Sequence, residues 1–301
     1  MKILLTGKDG QVGFELVRAL APLGEVVAVG RGDCDLSDGE ALRTLVRTVA
    51  PDIIVNPAAY TAVDKAESEP DMAFSLNARA PGILGEEAAR LDALMIHYST
   101  DYVFDGAGQA PWTEADTPAP QSVYGSSKLA GERVLRETCP CHLILRTSWV
   151  LGSHGGNFAK TMLRLGAERD RLTVVDDQFG APTSAALLAD LTAHLVRQYA
   201  REGVNTFPYG TYHVAAAGET SWYAYARFVL EAAQQAGQQL RAGPDEVLPV
   251  TSSAYPTVAR RPANSRLDTS LFRHTFGLRL PPWQEGVHEV LRRILRSGTD
   301  A

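Results

Sequence analysis

The chain is 301 residues long, 45% hydrophobic and 21% charged, an ordinary globular balance with enough length for a core domain and a smaller second lobe. A net charge of −6 offers no basic field to attract nucleic acid or an anionic membrane, so any phosphate in a ligand must be met by local groups. No run of about 18 apolar residues is present, and Met1–Gly7 is too short for a secretion signal, which points to a cytoplasmic protein with Cys34, Cys139 and Cys141 reduced.

The first element is a strand over Lys2–Thr6, apolar on both faces rather than alternating. It runs into Gly7-Lys8-Asp9-Gly10-Gln11-Val12-Gly13 and a helical pattern over Phe14–Leu23. Glycines so placed let the backbone turn sharply and approach a pyrophosphate, which the N–H groups opening the helix stabilise. A second strand, Val26–Val29, ends in Gly30-Arg31-Gly32 with no acid at its tip. An acid there would bond the ribose 2′-hydroxyl of NAD; an arginine suits the 2′-phosphate of NADP, so Arg31 points to NADPH. A helix over Leu42–Val49 leads to a third strand, Asp52–Val55, then to Asn56-Pro57-Ala58-Ala59, whose small side chains would let a dinucleotide lie against the sheet.

A long helix over Ala73–Leu91 precedes the fourth strand, Leu94–Tyr98, which ends in Ser99-Thr100-Asp101-Tyr102. The Thr100 hydroxyl then stands at the carboxyl edge of the sheet, where it can donate to a carbonyl oxygen gathering negative charge. Downstream, Tyr124-Gly125-Ser126-Ser127-Lys128 sets a phenol and an ammonium one helical turn apart on one face. Free tyrosine is a poor acid–base catalyst at neutral pH; a neighbouring ammonium should favour the phenolate and bring its pKa down towards the working range. The fifth strand is Leu143–Arg146. Strand–helix alternation predicts an α/β fold, a doubly wound parallel sheet of Rossmann type, with ligands bound outside the carboxyl ends of the strands.

After Trp149 the regularity decays. Helices over Phe158–Leu165, Ala186–Arg197 and Tyr223–Gln235 alternate with loops, and Asp177–Ser184 and Tyr255–Ser265 show no period. The expected organisation is a dinucleotide-binding domain over 1–148 and a mainly substrate-binding lobe over 149–301. That lobe is expected to interleave with the first domain, with a tail, Ser297–Ala301, that frays.

The motifs Gly10–Gly13, Ala62–Glu67, Ser99–Gly106, Tyr124–Lys128, Arg146–Trp149, Asn157–Met162, Asp177–Thr183 and Arg261–Ser265 span nearly the whole chain. Together they resemble the dTDP-4-dehydrorhamnose reductase family of the extended short-chain dehydrogenase/reductase superfamily. The resemblance implies reduction of the C4 ketone of dTDP-4-dehydro-β-L-rhamnose to dTDP-L-rhamnose, the last step in making that activated sugar. NADPH is the implied reductant, with NADH as the alternative. Tyr124 would be the proton donor, Thr100 would polarise the carbonyl, and Lys128 would hold the nicotinamide ribose. Gly7, Gly10, Gln11, Val12, Arg31, Asp35, Leu36, Ala58, Ala59 and Ser99 would meet the dinucleotide. Asp101 and Trp149 would face the sugar, to which a flat indole is suited. Arg261 and Asn264 would reach the substrate from the second lobe, the guanidinium clamping a diphosphate.

Some relatives gather glutamates around Mg²⁺ at a dimer interface. Here Glu15 is accompanied by Ala186 and Arg293, so no metal is expected, and a homodimer is left open. Two rival functions share this framework. Related dehydratases carry Thr-Asp-Glu after the fourth strand, where this chain has Tyr102, and an epimerase is not excluded by the residues. A non-catalytic subunit, like the regulatory subunit of methionine adenosyltransferase, would call for degraded catalytic positions, whereas Thr100, Tyr124 and Lys128 are intact.

Overall fold

Five apolar runs become parallel strands in the computed structural model, which describes residues 1–297: β1 (Lys2–Thr6), β2 (Glu25–Val29), β3 (Ile53–Asn56), β4 (Leu94–Thr100) and β5 (His142–Thr147). Beyond Ser297, the expected fraying of the tail lies outside the described residues. Short segments β6 (Val150–Leu151), β7 (Leu172–Val175), β8 (Phe179–Gly180) and β9 (Thr183–Ser184) follow, and β10 (Gly210–His213) returns to pair with β5. The sheet order is β10-β5-β4-β3-β1-β2, every pairing parallel, so the expected doubly wound α/β fold is what is found.

Strands apolar at successive positions serve two cores. Ile3, Leu5, Ile53, Val55, Leu94 and Ile96 pack with Leu16 and Leu20 of α1 (Gln11–Leu20) and with Leu188 and Leu195, which lie far downstream. Leu4, Ile54, Met95 and Ile144 pack against α2 (Gly39–Val49) and against Ile83 and Leu84. α2 begins earlier than its apolar pattern because Asp38 accepts from the N–H groups of Glu40 and Ala41. α3 (Val63–Ala66) is a single turn.

The helix expected over Ala73–Leu91 is interrupted. It consists of α4 (Pro70–Phe74), a π-helical turn at Ser75–Arg79, and α5 (Ala80–Arg90). The turn carries Asn77, whose side chain accepts from Tyr60 N at 2.8 Å and donates to Tyr60 O at 3.1 Å and to Ser127 Oγ at 3.0 Å. One wide turn thus ties the loop after β3 to α6 (Val123–Thr138).

The second lobe holds α7 (Phe158–Glu168), α8 (Ala185–Glu202), β11 (Thr220–Ser221), α9 (Trp222–Gln235), β12 (Val247–Val250), α10 (Ser270–Phe276) and α11 (Trp283–Ser297). Leu188 and Leu195 of α8 cover the first face of the sheet, while a separate core forms around Met162, Leu172, Tyr225, Val229, Val247 and Val287. The two segments without period are built from short pairings: β8 with β11, β9 with β6, and a bridge between Phe179 and Asn264. No helix among the described residues is long and apolar enough to cross a membrane.

Candidate active site

The loop after β1 turns at Gly7, whose φ of +63° is a left-handed value and whose α-carbon faces Ala58 so closely that a Cβ would press on the backbone there. Gly10 caps α1, and Phe14 N donates to Gly10 O at 2.9 Å. Across the sheet, Ser122 caps α6 through Gly125 N at 3.1 Å, and Glu67 accepts from Val123 N at 2.8 Å. A Cβ on Gly125 would collide with the Tyr102 carbonyl, so the glycine lets α6 settle onto the end of β4 and brings Tyr124 beside Thr100.

These elements enclose a cleft of about 1240 Å³ at the carboxyl ends of the strands. That exceeds the roughly 300–1,000 Å³ of an ordinary small-molecule pocket, as a dinucleotide and a second ligand together would require. Gly7, Gly10, Gln11, Val12, Arg31, Asp35, Leu36, Ala58, Ala59, Ser99, Thr100, Asp101, Tyr124, Lys128, Trp149 and Arg261 all line it. Asn264 does not. It is 1% exposed, its amide nitrogen donates to Ala110 O at 2.8 Å, and its carbonyl accepts from Arg266 Nε at 2.8 Å. Those bonds make it a clasp between two loops, because a buried amide leaves no partner unmet.

Tyr124 and Lys128 share the cleft floor, but the expected electrostatic relation is corrected. Burial pushes the phenol above its ordinary value, and Thr100 offsets this only in part. The Lys128 ammonium is committed to β4: Nζ donates to Tyr98 O at 2.6 Å and lies 3.2 Å from His97 Nε2. Its own burial brings its pKa down to about 8, opposed by the charge of Glu132. The phenol is therefore held protonated. Thr100 Oγ1 donates to Asp101 Oδ1 at 3.1 Å. Burial raises the Asp101 carboxyl to about 6, with hydrogen bonding from Ser265 and Thr100 offsetting this in part.

Several residues that shape the site were not singled out from the sequence. Glu132 is fully buried, where desolvation works against its charge. The Arg146 guanidinium, at 2.7 and 2.9 Å, outweighs that and holds the carboxyl below its usual range. Glu132 also accepts from Ser99 Oγ at 2.6 Å, which fixes the strand end that presents Thr100. An arginine in an otherwise apolar strand was the available signal. Trp222 is stacked on Trp149 with centroids 3.6 Å apart, and both line the cleft. Trp149 sits at φ +48°, an uncommon value for a non-glycine residue. No spacing in the sequence pairs these indoles.

At the cleft mouth Arg261 donates to Asp64 Oδ2 at 2.6 Å and to the Tyr102 hydroxyl at 3.2 Å, so an anion there would share the guanidinium with Asp64. Arg31 is exposed at the other end; hydrogen bonds from Ser37, with the Arg31 charge adding to them, hold the Asp35 carboxyl below its usual range, while Asp33 is occupied by Lys8 Nζ at 2.5 Å and Gly30 N at 2.8 Å. The residues fit a dinucleotide: a glycine turn against Ala58, a helix N-terminus, and buried Thr147 Oγ1 and Ser148 Oγ of the cleft wall, which have no partner among the described residues. Glu15 faces cations, Arg293 Nη1 at 2.9 Å and Arg18 Nε at 3.7 Å.

The model of the RmlD substrate binding domain matches residues 1–296. The chain belongs to the RmlD substrate-binding-domain family. Among its relatives in the RmlD family, dTDP-4-dehydrorhamnose reductase of Escherichia coli K12 is 52% identical over 298 residues, 98% of each chain. That of Burkholderia thailandensis is 44% identical over 98% of this chain and 99% of its own. A dTDP-4-dehydrorhamnose reductase structure from Clostridium acetobutylicum superposes with a TM-score of 0.89 at 35% identity, covering 97% of this chain and 99% of that one. Another, from Bacillus anthracis in complex with NADP, gives 0.87 at 34% identity over 97% and 98%. The Thermus thermophilus UDP-glucose 4-epimerase, at 21% identity and a TM-score of 0.78, shares the fold.

Proposed function

We propose that this protein reduces the C4 ketone of dTDP-4-dehydro-β-L-rhamnose to dTDP-L-rhamnose, using NADPH, as the last step of dTDP-rhamnose synthesis. The observation that carries this reading is the convergence of Thr100, Tyr124 and Lys128 on the floor of the cleft that the glycine loop also lines. Full-length identity of 52% to a dTDP-4-dehydrorhamnose reductase supports the same substrate.

When bound, the nicotinamide supplies the hydride that adds to the ketone carbon. Thr100 donates to the carbonyl oxygen, stabilising charge as it gathers there. Tyr124 gives that oxygen its proton; a reduction needs the acid loaded, and the raised phenol pKa keeps it loaded at neutral pH. Lys128 holds the ribose beside the nicotinamide and offers positive charge to the phenolate left behind. Trp149, backed by Trp222, supports the sugar ring, Asp101 accepts from a sugar hydroxyl, and Arg261 meets the diphosphate. Arg31 reads the 2′-phosphate, while Asp35, Leu36, Ala58 and Ala59 line the path of the dinucleotide. Residues 1–148 hold the cofactor and the remainder mainly the substrate, with β10 and α8 joining the two. Its cysteines, all free, fit a cytoplasmic enzyme.

The dehydratase alternative asks for an acid where Tyr102 stands, and here that hydroxyl is taken by Arg261. The test mixes pure protein, NADPH and enzymatically made dTDP-4-keto-sugar. One NADPH consumed per ketone supports the reading; product without net consumption means epimerisation, and no turnover means a binding subunit.

A further inference from the structure

Behind the cleft floor a line of buried polar side chains crosses the sheet. Lys128 Nζ is 3.2 Å from His97 Nε2, His97 Nδ1 is 3.1 Å from Asn56 Nδ2, and Asn56 Oδ1 is 2.6 Å from Thr6 Oγ1. Exposure along this line is 2%, 0%, 1% and 0%, so bulk water does not reach it. Burial first, and then the Lys128 charge, hold His97 far below its ordinary pKa, so the ring is neutral.

A neutral imidazole carries one N–H, and its two nitrogens must play opposite roles. If Lys128 is an ammonium, Nζ donates, Nε2 accepts, and Nδ1–H donates to an oxygen of Asn56, whose backbone carbonyl also faces the ring; the side-chain amide then turns its oxygen to Nδ1 and its nitrogen to Thr6. If Lys128 is a neutral amine, Nε2–H donates to it, Nδ1 accepts from Asn56 Nδ2, and Thr6 donates to Asn56 Oδ1. Because the two ends of an amide match in shape, both arrangements fit the same space. The ammonium form and the amine form therefore need different histidine tautomers.

We propose that His97 is a positioning residue for Lys128, holding its ammonium through Nε2 and changing tautomer when Lys128 loses its proton. Between the two forms Nε2 gains the proton that Lys128 gives up and Nδ1 gives up its own, released to the cleft that Lys128 lines when the buried line transiently opens, so one proton is lost in all and the ring stays neutral. The other groups facing the pair are the Tyr98 carbonyl on β4, Asn56 on β3, Glu132 on α6, and, beyond Glu132, Arg146 on β5 and Arg136 on α6. Glu132 is already paired with both arginines, which leaves His97 as the side-chain acceptor aimed at Nζ.

The effect on rate rests on the role given to Lys128 above; the tautomer change does not. ¹⁵N NMR of histidine-labelled full-length protein, titrated across about pH 8, reads it directly. The expected result is a crossover of the His97 signals from Nδ1–H to Nε2–H, absent in Lys128→Met; a single tautomer throughout overturns the proposal. In turnover, His97→Leu removes the acceptor and should move the alkaline limb of kcat/KM down by about one pH unit. His97→Gln, which keeps an acceptor oxygen, should hold the limb near its original position. An unmoved limb in His97→Leu contradicts the positioning role, and should that variant not fold, the NMR titration decides. Were the protein no reductase at all, the tautomer crossover would still be seen.

Discussion

At Tyr124 two effects oppose each other. Burial raises the phenol, Thr100 favours the phenolate, and burial prevails. The Y-x-x-x-K spacing disclosed the pair but not this balance, because desolvation depends on what covers the phenol. Tyr124→Phe keeps the ring and removes the proton, so kcat should fall by about 10²–10⁴ while NADPH affinity by fluorescence titration holds. The two shifted groups at the substrate end set a pH window. Asp101 loses its charge as pH falls through about 6, which should weaken the hold on a sugar hydroxyl proposed for it, and Lys128 loses its charge as pH rises through about 8. The kcat/KM profile should fall on both sides, and Asp101→Asn should lower the plateau and remove the acid limb. A limb that persists in that variant assigns it to another group. At the far end Arg31 stands exposed while Lys8 occupies Asp33. Arg31→Ala should raise the KM for NADPH about tenfold and leave NADH little changed, a loss of about 1.4 kcal/mol; equal losses for both cofactors would remove Arg31 from the 2′-phosphate.

The elements that aim these residues were legible in proportion to how local their causes are. β1, its glycine loop and α1 follow from an apolar run and glycine placement, and Gly125 in the Tyr124 motif serves the close approach of α6 to Tyr102. The π turn at Ser75–Arg79 was not legible, because its wide turn is supported by Asn77 reaching Tyr60 and Ser127, contacts across the fold. The end of β4 is likewise fixed from a distance, by Glu132 bridging Ser99 and Arg146. Glu132→Gln leaves a buried guanidinium without its counter-charge, a change that in comparable pairs costs about 3–5 kcal/mol. Urea unfolding should report that loss together with a lower kcat, because the strand end carrying Thr100 loosens; unaltered stability would mean the pair is dispensable.

Across the whole molecule, the sheet could be read from strands buried on both faces, whereas the second lobe could not. Its strands β6, β8, β9 and β11 are two residues long and exist only as partners of one another, so no period marks them. Trp149 was visible as a candidate for the sugar, but its stack with Trp222 joins chain segments that only the fold brings together. Asn264 belonged to a recognisable motif and serves to clasp loops, not to line the cleft. What the molecule as a whole achieves is the meeting of a glycine loop from its first strand, the Tyr124 phenol from α6 and an indole pair from the second lobe in one cleft. The most direct test of that meeting is isotopic. With NADPH carrying deuterium at both positions of the transferring carbon, NMR of the product should show one deuterium at C4 of the sugar and none elsewhere. Proton in place of deuterium at C4 would contradict the account.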